Sequence, residues 1–118
     1  MSDDNILNIA EIPYPSGSIQ FRYSRILSEY KTRWIRHGLF VRYSETGQVV
    51  SEGNYVLGQE QGLWRDFHSN GQIAAEGQYI DGKEHGRWRF WDESGNEQPS
   101  VSYAHGNEQA PPRGQSRT

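Results

Sequence analysis

A pattern of glycines and aromatic residues returns along this chain every 24 residues, and no other feature limits its fold so tightly. Gly38, Gly62 and Gly86 open three copies. Phe40, Trp64 and Trp88 stand two places on, and Tyr43, Phe67 and Trp91 three places after those. Further along each copy, Gly47, Gly71 and Gly95 form a glycine column, Tyr55, Tyr79 and Tyr103 an aromatic column, and Gly58, Gly82 and Gly106 a second glycine column. Self-similarity at a fixed period of this length marks an array in which each unit buries its apolar surface only against its neighbours. The copies run 38–61, 62–85 and 86–109, preceded by a lead-in and degenerate capping unit over 1–37 and followed by a tail over 110–118 rich in Pro, Arg and Gly, which reads as disordered.

A thick aliphatic core is excluded by composition. Only 33% of the 118 residues are hydrophobic and the mean hydropathy is −0.93, yet 13% are aromatic. Aromatic side chains each bury about 150–250 Å², so columns of them can hold together a thin body. The sequence has no cysteine, which removes disulfides and thiolate metal sites. It shows neither a leader-like start nor an apolar run long enough to span a bilayer, so a soluble, cytoplasmic protein is expected. Charge is segregated: residues 38–109 hold eleven Asp and Glu against five Lys and Arg, a balance of −6, whereas residues 1–37 hold five basic against four acidic groups. An acidic array repels phosphate, which speaks against nucleic acid and anionic lipid and for a basic protein partner.

Within each unit the glycines divide the sequence into two short strands, 62–68 and 72–80 in the middle copy. Asn70-Gly71 is a hairpin signal, and Asp81-Gly82 a second turn leading to the next unit. The expected fold is all-β: an antiparallel meander of stacked hairpins, elongated and nearly single-layered. If Ser69 to Gln72 form the loop, His68 pairs with Ile73, Trp64 with Gly77 and Tyr79 with Gly62. Each large ring then lies over the facing glycine, a device that covers exposed backbone. The same register sets Phe40 over Gly53, Tyr55 against Gly38, Tyr103 against Gly86, and Trp88 against Val101, where the missing glycine reads as a worn last copy. Pro99 marks an edge there. Leu63, Arg65, Phe67, Ala74, Glu76 and Ile80 fall on the opposite face, to be covered by the N-terminal segment or left as an apolar stripe for a partner. Upstream, residues 1–15 read as an edge strand or one helical turn. Ser18–Arg36 reads as strand, led by the alternation of Ile19, Phe21 and Tyr23. Tyr14-Pro-Ser-Gly17 is similar to Tyr43-Ser-Glu-Thr-Gly47.

Gly-x-Trp-x-x-Phe, a glycine turn, then Glu-Gly-x-Tyr-x-x-Gly-x-x-x-Gly, best kept over Gly62–Gly86, resembles the MORN-type repeat in its bacterial variant, and in particular the YwqK-like antitoxin family. The resemblance implies stacked β-hairpins and a role in neutralising a toxin inside the producing cell. It supplies no catalytic position, because its signature residues build the sheet.

No catalytic constellation or cofactor motif is found. His37 and His85 share one place before a repeat-opening glycine, but Gln holds it at 61 and 109. A position recurring every 24 residues is spread along the array, so no metal site is read. Asp92-Glu93 are adjacent on the chain and point apart on a strand, and the column Glu52 and Glu76 reads as a solvated face rather than an acid–base couple. Trp64, Tyr79, Trp88 and Tyr55 read as packing rather than a stacking platform. Phe67 and Trp91, beside Asp66, Asp92 and Glu93, stay open between packing and the centre of an interface.

The expectation is a protein-binding module without enzymatic activity: an antitoxin or immunity protein covering a basic toxin with an acidic surface, its contacts drawn from Phe67, Trp91, Asp66, Asp92, Glu93 and Glu76. The alternative is a scaffold that contacts membrane phospholipid or assembles other proteins. Open sheet edges invite self-pairing, so the expected state is a monomer or a weak homodimer.

Overall fold

A computed structural model describes residues 8–109; the first seven residues and the tail lie outside that range. Nine strands form one sheet in chain order, every pair antiparallel, with no helix among the described residues. They are β1 (Asn8–Pro13), β2 (Ile19–Leu27), β3 (Trp34–Tyr43), β4 (Val49–Val56), β5 (Gln59–Phe67), β6 (Ile73–Ile80), β7 (Lys83–Trp91), β8 (Glu97–Ala104) and β9 (Asn107–Gln109). The body measures 58 × 33 × 21 Å with a radius of gyration of 17.2 Å. A compact chain of this length would have a radius of about 13 Å. No described side chain is less than 2% exposed. The sheet is a single layer, and β1 extends its edge rather than covering a face.

Two kinds of turn alternate, one along each side of the sheet. On one side Ser44, His68 and Asp92 open hairpins in which the amide of the glycine three places on donates to the opening residue's carbonyl, at 2.9–3.0 Å. Gly47, Gly71 and Gly95 carry the left-handed φ of 90° that such a turn demands. Tyr14–Gly17 repeats this geometry, so Tyr14 is the counterpart of Ser44, one place on from Tyr43. On the other side Leu57-Gly58, Asp81-Gly82 and His105-Gly106 have positive φ at both central residues, the two-residue turn whose twist matches a hairpin. Asn70-Gly71, expected as that kind of turn, belongs to the first kind, and only its glycine has positive φ.

The register within the hairpins is the expected one at its centre: Gly62 faces Tyr79, Trp64 Gly77, Phe40 Gly53, Gly38 Tyr55, Trp88 Val101 and Gly86 Tyr103. Near the turn it differs. Phe67, not His68, pairs with Ile73, and Ala74 is the extra residue of a bulge. The run Ser18–Arg36 is two strands, parted by a turn in which Ser28 and Arg33 close the hairpin and Lys31 takes a φ of 57°. Pro99 lies beyond the reach of β9, which pairs only with Ser102–Ala104.

Between hairpins the register breaks, and the break determines the packing. Gly62, Leu63 and Trp64 stand opposite Gly53 alone, and Gly86, Arg87 and Trp88 opposite Gly77 alone. The extra residues swing each indole back over the preceding hairpin. A Cβ placed on Gly53 would lie 2.1 Å from the Trp64 ring, and one on Gly77 2.1 Å from Trp88. The expected covers, Trp64 over Gly77 and Phe40 over Gly53, are therefore displaced: Gly77 lies under Trp88 and Gly53 under Trp64. Indole Nε1 of Trp64 donates to the Asn54 carbonyl at 3.1 Å and that of Trp88 to Gln78 at 3.2 Å, beside each register break. Val101 needs no glycine because the place where a further tryptophan would stand is Pro112.

Gly77→Ala is expected to destabilise the protein by roughly 1–3 kcal/mol, the usual cost of forcing an extra methyl group into packed surroundings. Urea denaturation checks this. In the double variant with Trp88→Ala, the penalty of the added methyl should largely vanish, since the coupling belongs to that one contact.

Candidate interaction surface

One face of the sheet is a continuous aromatic column. Phe40, Tyr55, Trp64, Tyr79, Trp88 and Tyr103 follow one another across the strands with ring centres 5.2 to 6.4 Å apart. Successive pairs meet edge to face except for the last-named relation's longer spacing at Trp88–Tyr103, which keeps an 82° angle. Hydrogen-rich ring edges meet electron-rich faces, the preferred arrangement of aromatic pairs. Phe40, Trp64 and Trp88 are buried, while the tyrosines between them are half-buried and keep an open side. The residues expected as packing are thus packing, and their tyrosines also form surface.

Directly across from three of these tyrosines stands an acidic column. Tyr55 faces Glu60, Tyr79 faces Glu84 and Tyr103 faces Glu108, a further 24-residue spacing that the reading of the sequence passed over. The periodicity was visible in the sequence; what it lacked was the inter-hairpin register, without which these glutamates have no face. Burial, then Glu84 and Glu60, push the Tyr79 hydroxyl up to about 12. Burial and Glu60 also raise Tyr55, opposed by Arg36.

The other face is a ladder of charge. Glu11, Arg22, Val41, Glu52, Arg65, Glu76 and Arg89 are successive cross-strand neighbours. Arg65 Nε donates to Glu76 at 2.7 Å and its Nη1 lies 3.9 Å from Glu52, while Arg89 pairs with Glu97 at 3.1 Å and Arg22 with Glu11 at 3.7 Å. Alternating signs neutralise this face from within. Around the ladder Leu39 and Leu63 stay exposed, so apolar side chains are interspersed with charge.

The six expected contact residues are divided by this geometry. Asp66 shares the aromatic face and accepts from Ser51 Oγ at 2.7 Å. Glu76 belongs to the ladder, and Arg89 of the same face lies 4.9 Å from the centre of the Trp91 ring. Phe67 is half-buried two residues from Arg65 on β5. Asp92 closes its turn, its Oδ1 accepting from the amides of Ser94 and Asn96 at 3.0 and 2.9 Å, while Glu93 is exposed beside it. The Trp91 and Glu93 carbonyls accept from His68 Nε2 and Asn70 Nδ2, both at 2.8 Å, tying neighbouring turns together.

The N-terminal unit has the opposite character. Arg25 lies 4.2 Å over the Trp34 ring, and a hollow of about 380 Å³ is lined by Arg33, Trp34, Ile35, Arg36, Leu57 and Gly58. Of the histidines, His37 Nδ1 accepts from the Leu57 amide at 3.1 Å, and His85 lies against His105 with centres 5.0 Å apart. No three His, Asp or Glu side chains converge as metal ligands among the described residues.

Residues 36–56 and 60–81 match the family described as the MORN repeat variant. The two matched stretches are adjacent units of the array and follow the hairpins β3–β4 and β5–β6. MORN repeats are binding modules for proteins or membranes. No curated protein matches the chain.

The Asp92 turn makes an acid-side prediction. Hydrogen bonds from Asn96, Ser94 and Gly95 hold the Asp92 carboxyl below its ordinary 3.8. A depressed carboxyl stabilises the fold above its unfolded pKa, and the contribution disappears as pH falls through the folded value. Asp92→Asn should therefore lower the thermal midpoint at neutral pH and flatten the acid limb below 3.8, as followed by circular dichroism. On the alkaline side, Tyr79→Phe should remove an ionisation near pH 12 from the ultraviolet titration of the tyrosines.

Proposed function

We propose that this chain is a protein-binding module for a basic partner, and that the partner is a toxin whose active site it covers within the cytoplasm. The observation that carries the reading is the Glu60, Glu84 and Glu108 column beside the open sides of Tyr55, Tyr79 and Tyr103. The excess of six acidic groups over residues 38–109 supports it, as does the likeness to the MORN repeat variant. The antitoxin step rests on the further resemblance to the YwqK-like family.

Long-range attraction between an acidic sheet and a basic protein raises the rate of encounter, and aromatic contacts slow release. Blockade needs no chemistry: an extended single-layer sheet covers area. Phe67, Trp91, Asp66, Asp92, Glu93 and Glu76 extend the contact along the turn side, with Asp92 acting through the turn it holds. Arg22, Arg25, Lys31, Arg33 and Arg36 favour the second reading, contact with anionic phospholipid, because they collect on the N-terminal strands and the turn between them.

The protein, tagged and drawn from its host's lysate at moderate salt, should bring down one basic protein in stoichiometric amount. Glu60→Lys with Glu84→Lys should weaken that complex at least tenfold and flatten its salt dependence. Retention on vesicles of acidic phospholipid without a protein partner would replace this reading with the membrane one.

A further inference from the structure

The first repeat unit carries on the aromatic face a cation that the later units lack. The Arg36 guanidinium lies 4.9 Å from the centre of the Tyr23 ring, 5.2 Å from Phe40 and 5.4 Å from Tyr55, and its Nη1 donates to the Tyr55 hydroxyl at 3.5 Å. One period on, the rings recur as Trp64 and Tyr79, but the place of Arg36 is taken by Glu60. After another period they recur as Trp88 and Tyr103, with Glu84. The aromatic floor is kept and the charge beside it changes sign.

Glu60 and Glu84 flank Tyr79. Glu84 faces it directly across the β6–β7 ladder. The Glu60 carboxylate reaches toward the turn that joins those strands, its Oε1 3.6 Å from where a Cβ on Gly82 would lie. Both side chains are half-buried, and among the described residues neither carboxylate is in an ion pair, whereas Glu52, Glu76 and Glu97 on the other face are paired with arginine. The arrangement is the Arg36–Tyr55 contact with its cation left to be supplied from outside.

We propose that Tyr79, flanked by Glu60 and Glu84, is a subsite for an arginine side chain of a protein partner. The guanidinium lies against the Tyr79 ring as that of Arg36 lies against Tyr55, and donates to one or both carboxylates. A planar guanidinium suits the place better than an ammonium, because it stacks on a ring while presenting a fork of donors in its plane. The subsite rests on the reading of a basic partner and specifies what that partner presents. Arg36 occupies the corresponding place in the first unit itself, so the open subsites belong to the later units.

The test titrates the full chain with a capped Gly/Ser peptide holding two arginines, followed by tryptophan fluorescence, beside the same peptide with lysine or with uncharged citrulline. The arginine peptide should saturate the signal below about 1 mM, the lysine peptide should bind several-fold more weakly, and citrulline should abolish binding. Glu60→Gln with Glu84→Gln should weaken the arginine peptide roughly tenfold, the loss expected for charge-assisted hydrogen bonds, with an unchanged melting temperature. Equal binding by the citrulline peptide, equal binding by the Gln variant, or no saturation would overturn the subsite. A stoichiometric basic partner captured from lysate together with a failed peptide titration removes the subsite and leaves the functional reading standing; a successful titration with no basic partner does the reverse.

Discussion

The fold depends on an indole lying flat over a glycine one hairpin back. A single-layer sheet has no second layer to exclude water from its backbone, so each tryptophan serves as cover for the unit before it. The contact requires three things at once: a register break that swings the tryptophan over, a glycine without a side chain beneath it, and a carbonyl to receive the indole N–H. Trp64 with Gly53 and Asn54, and Trp88 with Gly77 and Gln78, satisfy all three. Because each contact joins neighbouring hairpins, stability passes along the array from unit to unit. The tyrosines fill the intervals edge-on and make the column continuous.

The same construction separates the two faces in chemistry. On the ladder face, cross-strand neighbours alternate in sign and satisfy one another, so the face is charged yet close to neutral. On the aromatic face the glutamates stand beside tyrosines, and their charge projects outward. Net charge alone would not distinguish these cases. Glu76 and Glu60 are both glutamates of a 24-residue column, but one is held by Arg65 and the other faces a ring. An acidic protein of this kind attracts cations with one face only, and that face is the one with ring area to offer.

Much of the architecture was legible because period two and period 24 constrain it together. Glycine and aromatic columns gave the meander, the central pairings of Trp64 with Gly77 and Tyr79 with Gly62, and the edge at Pro99. The errors cluster where the ladder is irregular. The bulge at Ala74 moved Ile73 from His68 to Phe67, and the turn between Ser28 and Arg33 divided what looked like one strand. The expected contact residues were chosen by neighbourhood in the chain, whereas a strand sends neighbours to opposite faces: Asp66 and Phe67 part company for that reason.

By itself the sequence determined that the chain is an all-β repeat array, because a strict 24-residue recurrence of turn glycines and aromatics admits no other periodic solution of comparable economy. It also determined that the array is acidic and its beginning basic. Only the tertiary structure decided which glycine each tryptophan covers and which glutamates are paired. Both depend on residues inserted between hydrogen-bonded pairs of neighbouring hairpins, and such an insertion costs nothing in the repeat pattern. A shift of that kind leaves every column intact while changing what stands beneath and beside it in space.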